Sequence, residues 1–92
     1  MKLTYFRAAW CGVCHAKAPV VEEIAASMGL PLESWDWDAG DGRARADALR
    51  VKTVPTLALV DGERVRFRLV GAMITPENVR HLVAMTDSGR PT

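Results

Sequence analysis

The sequence predicts an α/β domain in which a mixed four-stranded sheet is flanked by helices. The first observation is the order of strand-like and helix-like segments, which is β-α-β-α-β-β-α. The second is the strand-helix-strand unit at the start of the chain, which favours parallel pairing. The third is the pair Asp61-Gly62, which is typical of a two-residue hairpin between antiparallel strands. Together they predict parallel and antiparallel strands in one sheet.

The composition fits one small domain and excludes several classes of protein. The chain has 92 residues, of which 49% are hydrophobic and 25% charged, with a formal net charge of +1. This charge gives no electrostatic basis for binding nucleic acid, and no apolar run approaches the roughly 18 residues of a membrane span. Polar residues interrupt any secretory signal after Met1-Lys2. We expect a cytoplasmic monomer with one domain at residues 1–86 and a frayed tail at residues 87–92.

The periodicity of apolar residues predicts where each element lies. Strands are expected at residues 2–7, 32–38, 56–60 and 64–70. Helices are expected at residues 11–28, 41–49 and 76–86. Pro19 is expected to kink the first helix and Gly29 to end it. Asp41 is the expected N-cap of the second helix, and Thr75 that of the third.

Alternation within the strands predicts which side chains face the core. Trp35 and Trp37 are expected on one face of the second strand, as core residues. The last strand is expected to point three apolar side chains inward, Val65, Phe67 and Leu69, and three arginines outward, Arg64, Arg66 and Arg68. The last helix is expected to bury Val79, Leu82 and Val83.

The only cysteines of the chain, Cys11 and Cys14, lie at the predicted start of the first helix. Two thiols one helical turn apart can close a small disulfide. The free N–H groups and the dipole of a helix N-terminus favour thiolate over thiol. We expect Cys11 to be the exposed sulfur and Cys14 to lie on the buried stripe. In a reducing compartment, such a pair is more often catalytic or metal-binding than structural.

Two metal-binding interpretations of this motif are disfavoured. Cys11-x-x-Cys14-His15 matches the attachment pattern of c-type haem, but haem attachment needs export and a largely helical pocket. A zinc site needs two further ligands, and only His15 and His81 are available. We therefore expect neither a metal nor a cofactor.

Four segments of the chain, in order and at similar spacing, resemble those of one family. They are residues 6–14 with Pro19, Val54-Pro55-Thr56-Leu57, Asp61-Gly62-Glu63 and Val70-Gly71-Ala72. These segments resemble the thioredoxin family. In order, they are similar to the active-site strand and kinked helix, the cis-proline strand, the hairpin and the substrate-groove glycine of thioredoxins. The resemblance extends over residues 2–85. It implies a thioredoxin-like fold and a protein-disulfide reductase, with a part in electron transport and cell redox homeostasis.

The resemblance also implies a role for each matched residue. Cys11 would attack the disulfide of a protein substrate as thiolate, and Cys14 would resolve the mixed disulfide. A cis Pro55 would present the backbone of the preceding residue to an extended substrate segment. The substrate-docking surface would comprise Trp10, Gly12, Val13, Val54, Gly71 and Ala72. A reductase or glutathione would supply the electrons.

The chain departs from the thioredoxin pattern at positions expected to tune the site. Tyr5 stands where these proteins usually have a buried aspartate, so Asp36 becomes a candidate proton acceptor for Cys14, with a solvated or hydrogen-bonded carboxylate as the alternative. Val13 stands where a proline usually separates the cysteines. His15 stands where many members have lysine, either as a cation that lowers the pKa of a neighbouring thiol or as an exposed helix residue.

Two other functions stay open at this point. A glutaredoxin-like dithiol reductant, using glutathione or serving ribonucleotide reductase, is suggested by the short start of the chain and by Thr53-Val54-Pro55. Against it, Gly71-Ala72 lacks the Gly-Gly that glutaredoxins use near glutathione. A non-enzymatic binding module with a structural disulfide is the second alternative.

Overall fold

A computed structural model describes the protein over residues 1–88, with side chains described over residues 1–86. The strands are β1 (Lys2–Arg7), β2 (Leu32–Asp36), β3 (Thr56–Asp61) and β4 (Arg64–Val70). The helices are α1 (Gly12–Met28), α2 (Gly40–Ala48) and α3 (Pro76–Ser88), with a 3₁₀ helix at Gly71–Met73. The predicted order β-α-β-α-β-β-α is confirmed. Helix α3 continues through residue 88, and the rest of the predicted tail lies outside the described residues.

The strands form one mixed sheet in the order β2-β1-β3-β4. β1 pairs in parallel with β2 and antiparallel with β3, and β3 pairs antiparallel with β4. The mixed four-stranded sheet expected from the sequence is therefore confirmed. Because β1 is hydrogen-bonded on both sides, the loop that leaves it toward Cys11 starts from a fixed point.

Helices cover both faces of the sheet, as predicted. On one face, α1 and α3 pack over a core formed by Leu3, Tyr5, Val21, Ile24, Leu57, Leu59, Ile74 and Val79. On the other face, α2 packs over a second core formed by Phe6, Ala46, Leu49, Val51, Ala58 and Val60. The pleat of β1 directs Tyr5 toward α1 and Phe6 toward α2. Over residues 1–88, no helix is both long and apolar enough to cross a membrane.

The caps of two helices agree with the sequence. Cys11 is the N-cap of α1, and Gly29, at φ 64°, is its C-cap in the left-handed region that favours glycine. Pro19 lies inside α1, where it supplies no backbone N–H. At α3, the N–H of Asn78 donates to Oγ1 of Thr75 (3.1 Å), which confirms Thr75 as a cap.

The second strand is shorter than predicted, and the second helix begins differently. β2 ends at Asp36, because the N–H of Ala39 turns back to donate to the carbonyl of Asp36 (3.1 Å). Ala39, not Asp41, is the N-cap of α2. Asp41 lies in the first turn, where its carboxylate accepts the N–H of Gly42 (2.8 Å). Because α2 starts directly after this turn, no residue with a capping side chain occupies the N-cap.

The hairpin and the last strand also differ from the prediction. Asp61 pairs with Arg64, so the loop residues are Gly62 and Glu63 rather than Asp61-Gly62. An irregularity between Leu59 and Val60 shifts the register of β4. The prediction that Val65, Phe67 and Leu69 share one inward face is therefore wrong. Val65 packs on the α2 side, whereas the α1 and α3 side receives Phe67 and Leu69.

Arg68 is exposed, as predicted, but its guanidinium is not simply solvated. It donates to the backbone carbonyl oxygens of Leu49 (2.9 Å) and Arg50 (2.8 Å), just after the end of α2. These carbonyls lie where a helix leaves acceptors without partners, so a cation there is stabilising. Arg68 therefore links the outer strand of the sheet to the C-terminus of α2.

Gly42 provides a test of how α2 is seated against β2. A Cβ at Gly42 would overlap the carbonyl oxygen of Asp36, whereas a Cβ at Gly40 would meet open space. We predict that Gly42→Ala lowers the free energy of unfolding by about 1–3 kcal/mol, because α2 must move away from β2. Gly40→Ala, the matched control, should leave stability unchanged or slightly raised. Urea unfolding measures both, and equal stability of the two variants would contradict this packing.

Candidate active site

The two cysteines form a disulfide at the N-terminus of α1. Cys11 caps the helix in extended conformation (φ −94°), Cys14 lies in its first turn, and their Cα atoms are 5.2 Å apart. The backbone N–H of Cys14 donates to Sγ of Cys11 (3.1 Å). The predicted placement of the pair, one helical turn apart at a helix start, is confirmed.

The surroundings of Cys11 favour a negative charge on its sulfur once the disulfide is reduced. The N–H of Cys14 already points at this sulfur, and the positive end of the α1 dipole lies beside it. The first turn of α1 contains no acidic residue that would oppose the charge. This end of α1 can therefore hold Cys11 as a thiolate nucleophile.

Burial distinguishes the two cysteines less than the sequence suggested. Cys14 is 2% exposed, as expected for the buried stripe of α1, but Cys11 is only 8% exposed. The prediction of an exposed Cys11 is therefore wrong for the disulfide form. The cysteines cluster with Ala8, and Trp37 and Val54 pack against them. Cys11 is still the more exposed residue of the pair.

The segment before β3 contributes backbone to the surroundings of the cysteines. The Val54–Pro55 peptide bond is cis, as predicted. Val54 packs against the cysteine cluster. Within residues 1–88, neither the N–H nor the carbonyl of Val54 has a hydrogen-bond partner. Thr56 steadies the segment, because its hydroxyl donates to the carbonyl of Thr53 (2.7 Å). A residue with an unpaired backbone N–H and carbonyl thus packs against the cysteine cluster.

The end of β4 lies next to this segment. The N–H of Gly71, at φ 53°, donates to the carbonyl of Pro55 (3.1 Å). The predicted docking residues Gly71 and Ala72 are half-buried and exposed respectively. Their neighbour Met73 is 56% exposed and extends the apolar surface. On the cysteine side, Trp10 is 67% and Val13 50% exposed, and Gly12 is exposed as well.

Comparisons with known proteins agree with this geometry. The family model described as Thioredoxin matches residues 1–85. This chain belongs to the thioredoxin family. A thioredoxin of Mycolicibacterium smegmatis is 44% identical over 73 residues, which cover 76% of this chain and 64% of that protein. The chain thus spans less than two thirds of the length of this curated relative.

Two further comparisons extend this result. Thioredoxin 1 of the thermophile Thermosipho africanus superposes with a TM-score of 0.79 at 25% identity, and 96% of each chain is covered. This likeness confirms the thioredoxin fold. A protein of Mycobacterium leprae named "Bifunctional thioredoxin reductase/thioredoxin" is 37% identical over 70 residues, which cover 76% of this chain and 15% of that protein.

Tyr5, which was expected to stand where thioredoxins usually have an aspartate, contacts the backbone of Cys14. It is buried in the α1 side of the sheet, and its hydroxyl donates to the carbonyl of Cys14 (2.7 Å). Burial raises the pKa of Tyr5 above its ordinary value of 10.0, against an opposing effect of the charge on Arg7. Tyr5 therefore stays a neutral donor and holds the first turn of α1 against β1.

The loop before the cysteines of this thioredoxin-family chain is held by two side chains. Nε2 of His15 lies 2.8 Å from the carbonyl of Ala9, so this nitrogen carries a proton that it donates. Nε1 of Trp10 donates to a carboxylate oxygen of Asp38 (2.9 Å). His15 is exposed. These contacts link Ala9 to α1 and Trp10 to the turn after β2.

Of the two roles expected for Asp36, proton acceptor for Cys14 or hydrogen-bonded carboxylate, the structure shows the hydrogen-bonded carboxylate. Its carboxylate accepts the N–H of Asp38 (3.0 Å). No hydrogen bond within residues 1–88 joins Asp36 to either cysteine. In the same part of the chain, no three His, Cys, Asp or Glu side chains gather as they would around a metal ion.

Sequence reasoning missed two side chains of this site. Trp37 was predicted only as core, yet it packs against the cysteines and carries the guanidinium of Arg43 over its ring at 4.1 Å. Lys17 was not singled out, although it is a cation within the apolar stripe of α1, one turn after Cys14. That position was the available signal, because a lysine on a buried face requires a polar partner.

The hydrogen bond of Tyr5 gives a prediction that depends on pH. Tyr5→Phe should lower the free energy of unfolding by about 1 kcal/mol near neutral pH, because the Cys14 carbonyl loses a donor. The folded pKa of Tyr5 is raised, so its contribution is fully present below the unfolded pKa of about 10 and is lost as pH rises through the folded value. The stability difference between the two proteins should therefore shrink in alkali. Chemical unfolding across pH 7 to 11 measures this, and a constant difference would contradict it.

Proposed function

We propose that this protein is a protein-disulfide reductase that works by dithiol-disulfide exchange. The observation that carries the proposal is the Cys11–Cys14 disulfide at the start of α1, beside the unpaired backbone of Val54. Family membership supports the same activity, since relatives that match this chain are named thioredoxins. The disulfide form is the oxidised end of the cycle.

The first step starts from the reduced protein. The Cys11 thiolate, stabilised by the N–H of Cys14 and the α1 dipole, attacks one sulfur of a substrate disulfide. A bond forms between Cys11 Sγ and that sulfur, and the substrate S–S bond breaks. The other substrate sulfur leaves as a thiolate and takes a proton from water. The product is a mixed disulfide at Cys11.

The second step closes the disulfide of the structure. The Cys14 thiol gives its proton to solvent, and its thiolate attacks Cys11 Sγ. The mixed disulfide breaks, and the second substrate sulfur leaves as a thiolate and is protonated. Two electrons have then passed from the cysteine pair to the substrate, whose two sulfurs have each taken a proton from solvent, while the cysteines have released theirs to solvent. The Cα–Cα distance of 5.2 Å between the cysteines lies within the ordinary range for a disulfide.

The substrate is an extended segment of a protein. The free N–H and carbonyl of Val54 can pair with it as an added strand, beside the cysteines. Apolar side chains on both sides, Trp10, Val13, Ala72 and Met73, are open to contact it. Gly12 and Gly71 carry no side chain that would hold the segment away. This docking depends mainly on backbone pairing and apolar contact, which suits many different protein substrates.

The electron donor is a reductase of the thioredoxin reductase kind. The Mycobacterium leprae relative supports this, because its name combines a thioredoxin reductase with a thioredoxin. The glutathione-dependent alternative has less support, because the family model and the curated relatives reported above carry the thioredoxin name. A reducing compartment such as the cytoplasm would keep the cysteine pair reduced. Because one copy of the chain contains both cysteines, a monomer can carry out both steps.

Turnover assays with single-cysteine variants test the mechanism. We predict that wild-type protein accelerates the reduction of insulin by dithiothreitol and that Cys11→Ser and Cys14→Ser both fall to the uncatalysed rate. The first variant lacks the nucleophile, and the second lacks the sulfur that resolves the mixed disulfide. Full activity in Cys11→Ser would exclude this mechanism. An inactive but folded wild type would favour the binding-module alternative instead.

A second assay separates the electron donors. Insulin reduction is followed with NADPH and a bacterial thioredoxin reductase, and in parallel with NADPH, glutathione and glutathione reductase. The proposal expects turnover with the first system only. Faster turnover with glutathione would favour the glutaredoxin-like alternative.

A further inference from the structure

Lys17 is a cation on the buried stripe of the helix that carries the cysteines. It lies one helical turn after Cys14 and is half-buried. Its Nζ donates to the backbone carbonyl of Ile74 (2.9 Å), 57 residues further along the chain. The side chain thus joins the first turns of α1 to the segment that follows β4. A half-buried ammonium with one backbone acceptor is a specific contact rather than a solvated surface charge.

The segment it contacts, residues 71–74, borders the docking surface and is here called the lip. Ile74 is fully buried and anchors the lip in the core, whereas Ala72 and Met73 are exposed. A second side chain holds the lip from α3, because Nδ2 of Asn78 donates to the carbonyl of Met73 (2.8 Å). Two consecutive carbonyls of the lip are therefore each held by a side chain from a different helix.

We propose that Lys17 and Asn78 are positioning residues that hold the lip in place for extended protein substrates. The inference rests on the proposed reductase function and deepens it. Lys17 fixes the lip relative to α1, which carries both reacting sulfurs, and the Gly71–Pro55 hydrogen bond fixes it relative to Val54. A substrate segment that pairs with Val54 then meets Ala72 and Met73 at a set distance from Cys11.

The expected consequence is selective for large substrates. Without Lys17, the carbonyl of Ile74 loses its partner and the lip gains conformational freedom. Docking of a substrate segment removes this freedom again, which weakens binding. A small disulfide that reaches Cys11 without touching the lip incurs no such cost. Lys17 should therefore affect KM for proteins and leave the chemical step unchanged.

The test compares insulin with the small disulfide 5,5′-dithiobis(2-nitrobenzoate). Lys17→Met keeps the apolar stem and removes the donor. It should raise KM for insulin by about 3- to 10-fold, the effect of losing one hydrogen bond, with kcat for insulin and both constants for the small disulfide unchanged. Lys17→Arg, which keeps a donor, should stay near wild type. Arg80→Met, which removes an exposed charge on α3, controls for net charge.

Asn78→Ala tests the same inference from α3, and it covers the case in which Lys17→Met does not fold. It should show the same rise of KM for insulin alone. An unchanged KM for insulin in the folded variants would overturn the proposal and leave the reductase function intact. An equal loss with both disulfides would also overturn it, since Lys17 would then act on the cysteines through its charge. A wild type that reduces neither disulfide would overturn both the function and this proposal.

Discussion

The N–H of Cys14 donates to the sulfur of Cys11, and the arrangement of the site depends on this contact. Helix N-caps are usually oxygen-bearing side chains, but here a cysteine occupies the position and its sulfur accepts the hydrogen bond. The proposed nucleophile is thus part of the helix end. Its charge in the reduced state is stabilised by the same N–H that the helix would otherwise leave unpaired. The proposed nucleophile and the N-cap of α1 are the same residue, Cys11.

The remainder of the fold keeps this helix end where a substrate can reach it. The central strand β1 holds the first turn of α1 through the hydroxyl of Tyr5, which donates to the carbonyl of Cys14. β3 begins just after Val54 and Pro55, so the strand next to β1 supplies the backbone edge beside the sulfurs. Lys17 extends the same helix toward the end of β4. Contacts from β1, from the segment before β3 and from the segment after β4 thus converge on the first two turns of α1.

The features that the sequence predicted well are those encoded by local spacing. The cysteine pair and the cap at Gly29 each depend on a few adjacent residues, and both are present. The cis bond at Pro55, also present, was implied by the resemblance to thioredoxins. The features it missed depend on partners far along the chain. The register shift at Leu59 and Val60 moved Val65 to the other face, and strict alternation gave no sign of it.

The same reason explains the missed contacts of the site. Whether Cys11 is exposed depends on Trp37 and Val54, and the partner of Lys17 lies 57 residues away. Asp41 had the right side chain for a cap, but the tight turn after Asp36 started the helix before it. Sequence patterns therefore predicted the chemistry of the cysteines, whereas the surroundings of the cysteines required the fold.

The central claim is that Cys11 is the sulfur that attacks the substrate. It is tested most directly by mixing Cys14→Ser protein with an oxidised protein substrate and mapping the covalent product by mass spectrometry. The account predicts a stable mixed disulfide through Cys11 that dithiothreitol releases. Absence of that product, or an equally fast product through Cys14 in the Cys11→Ser protein, would contradict it.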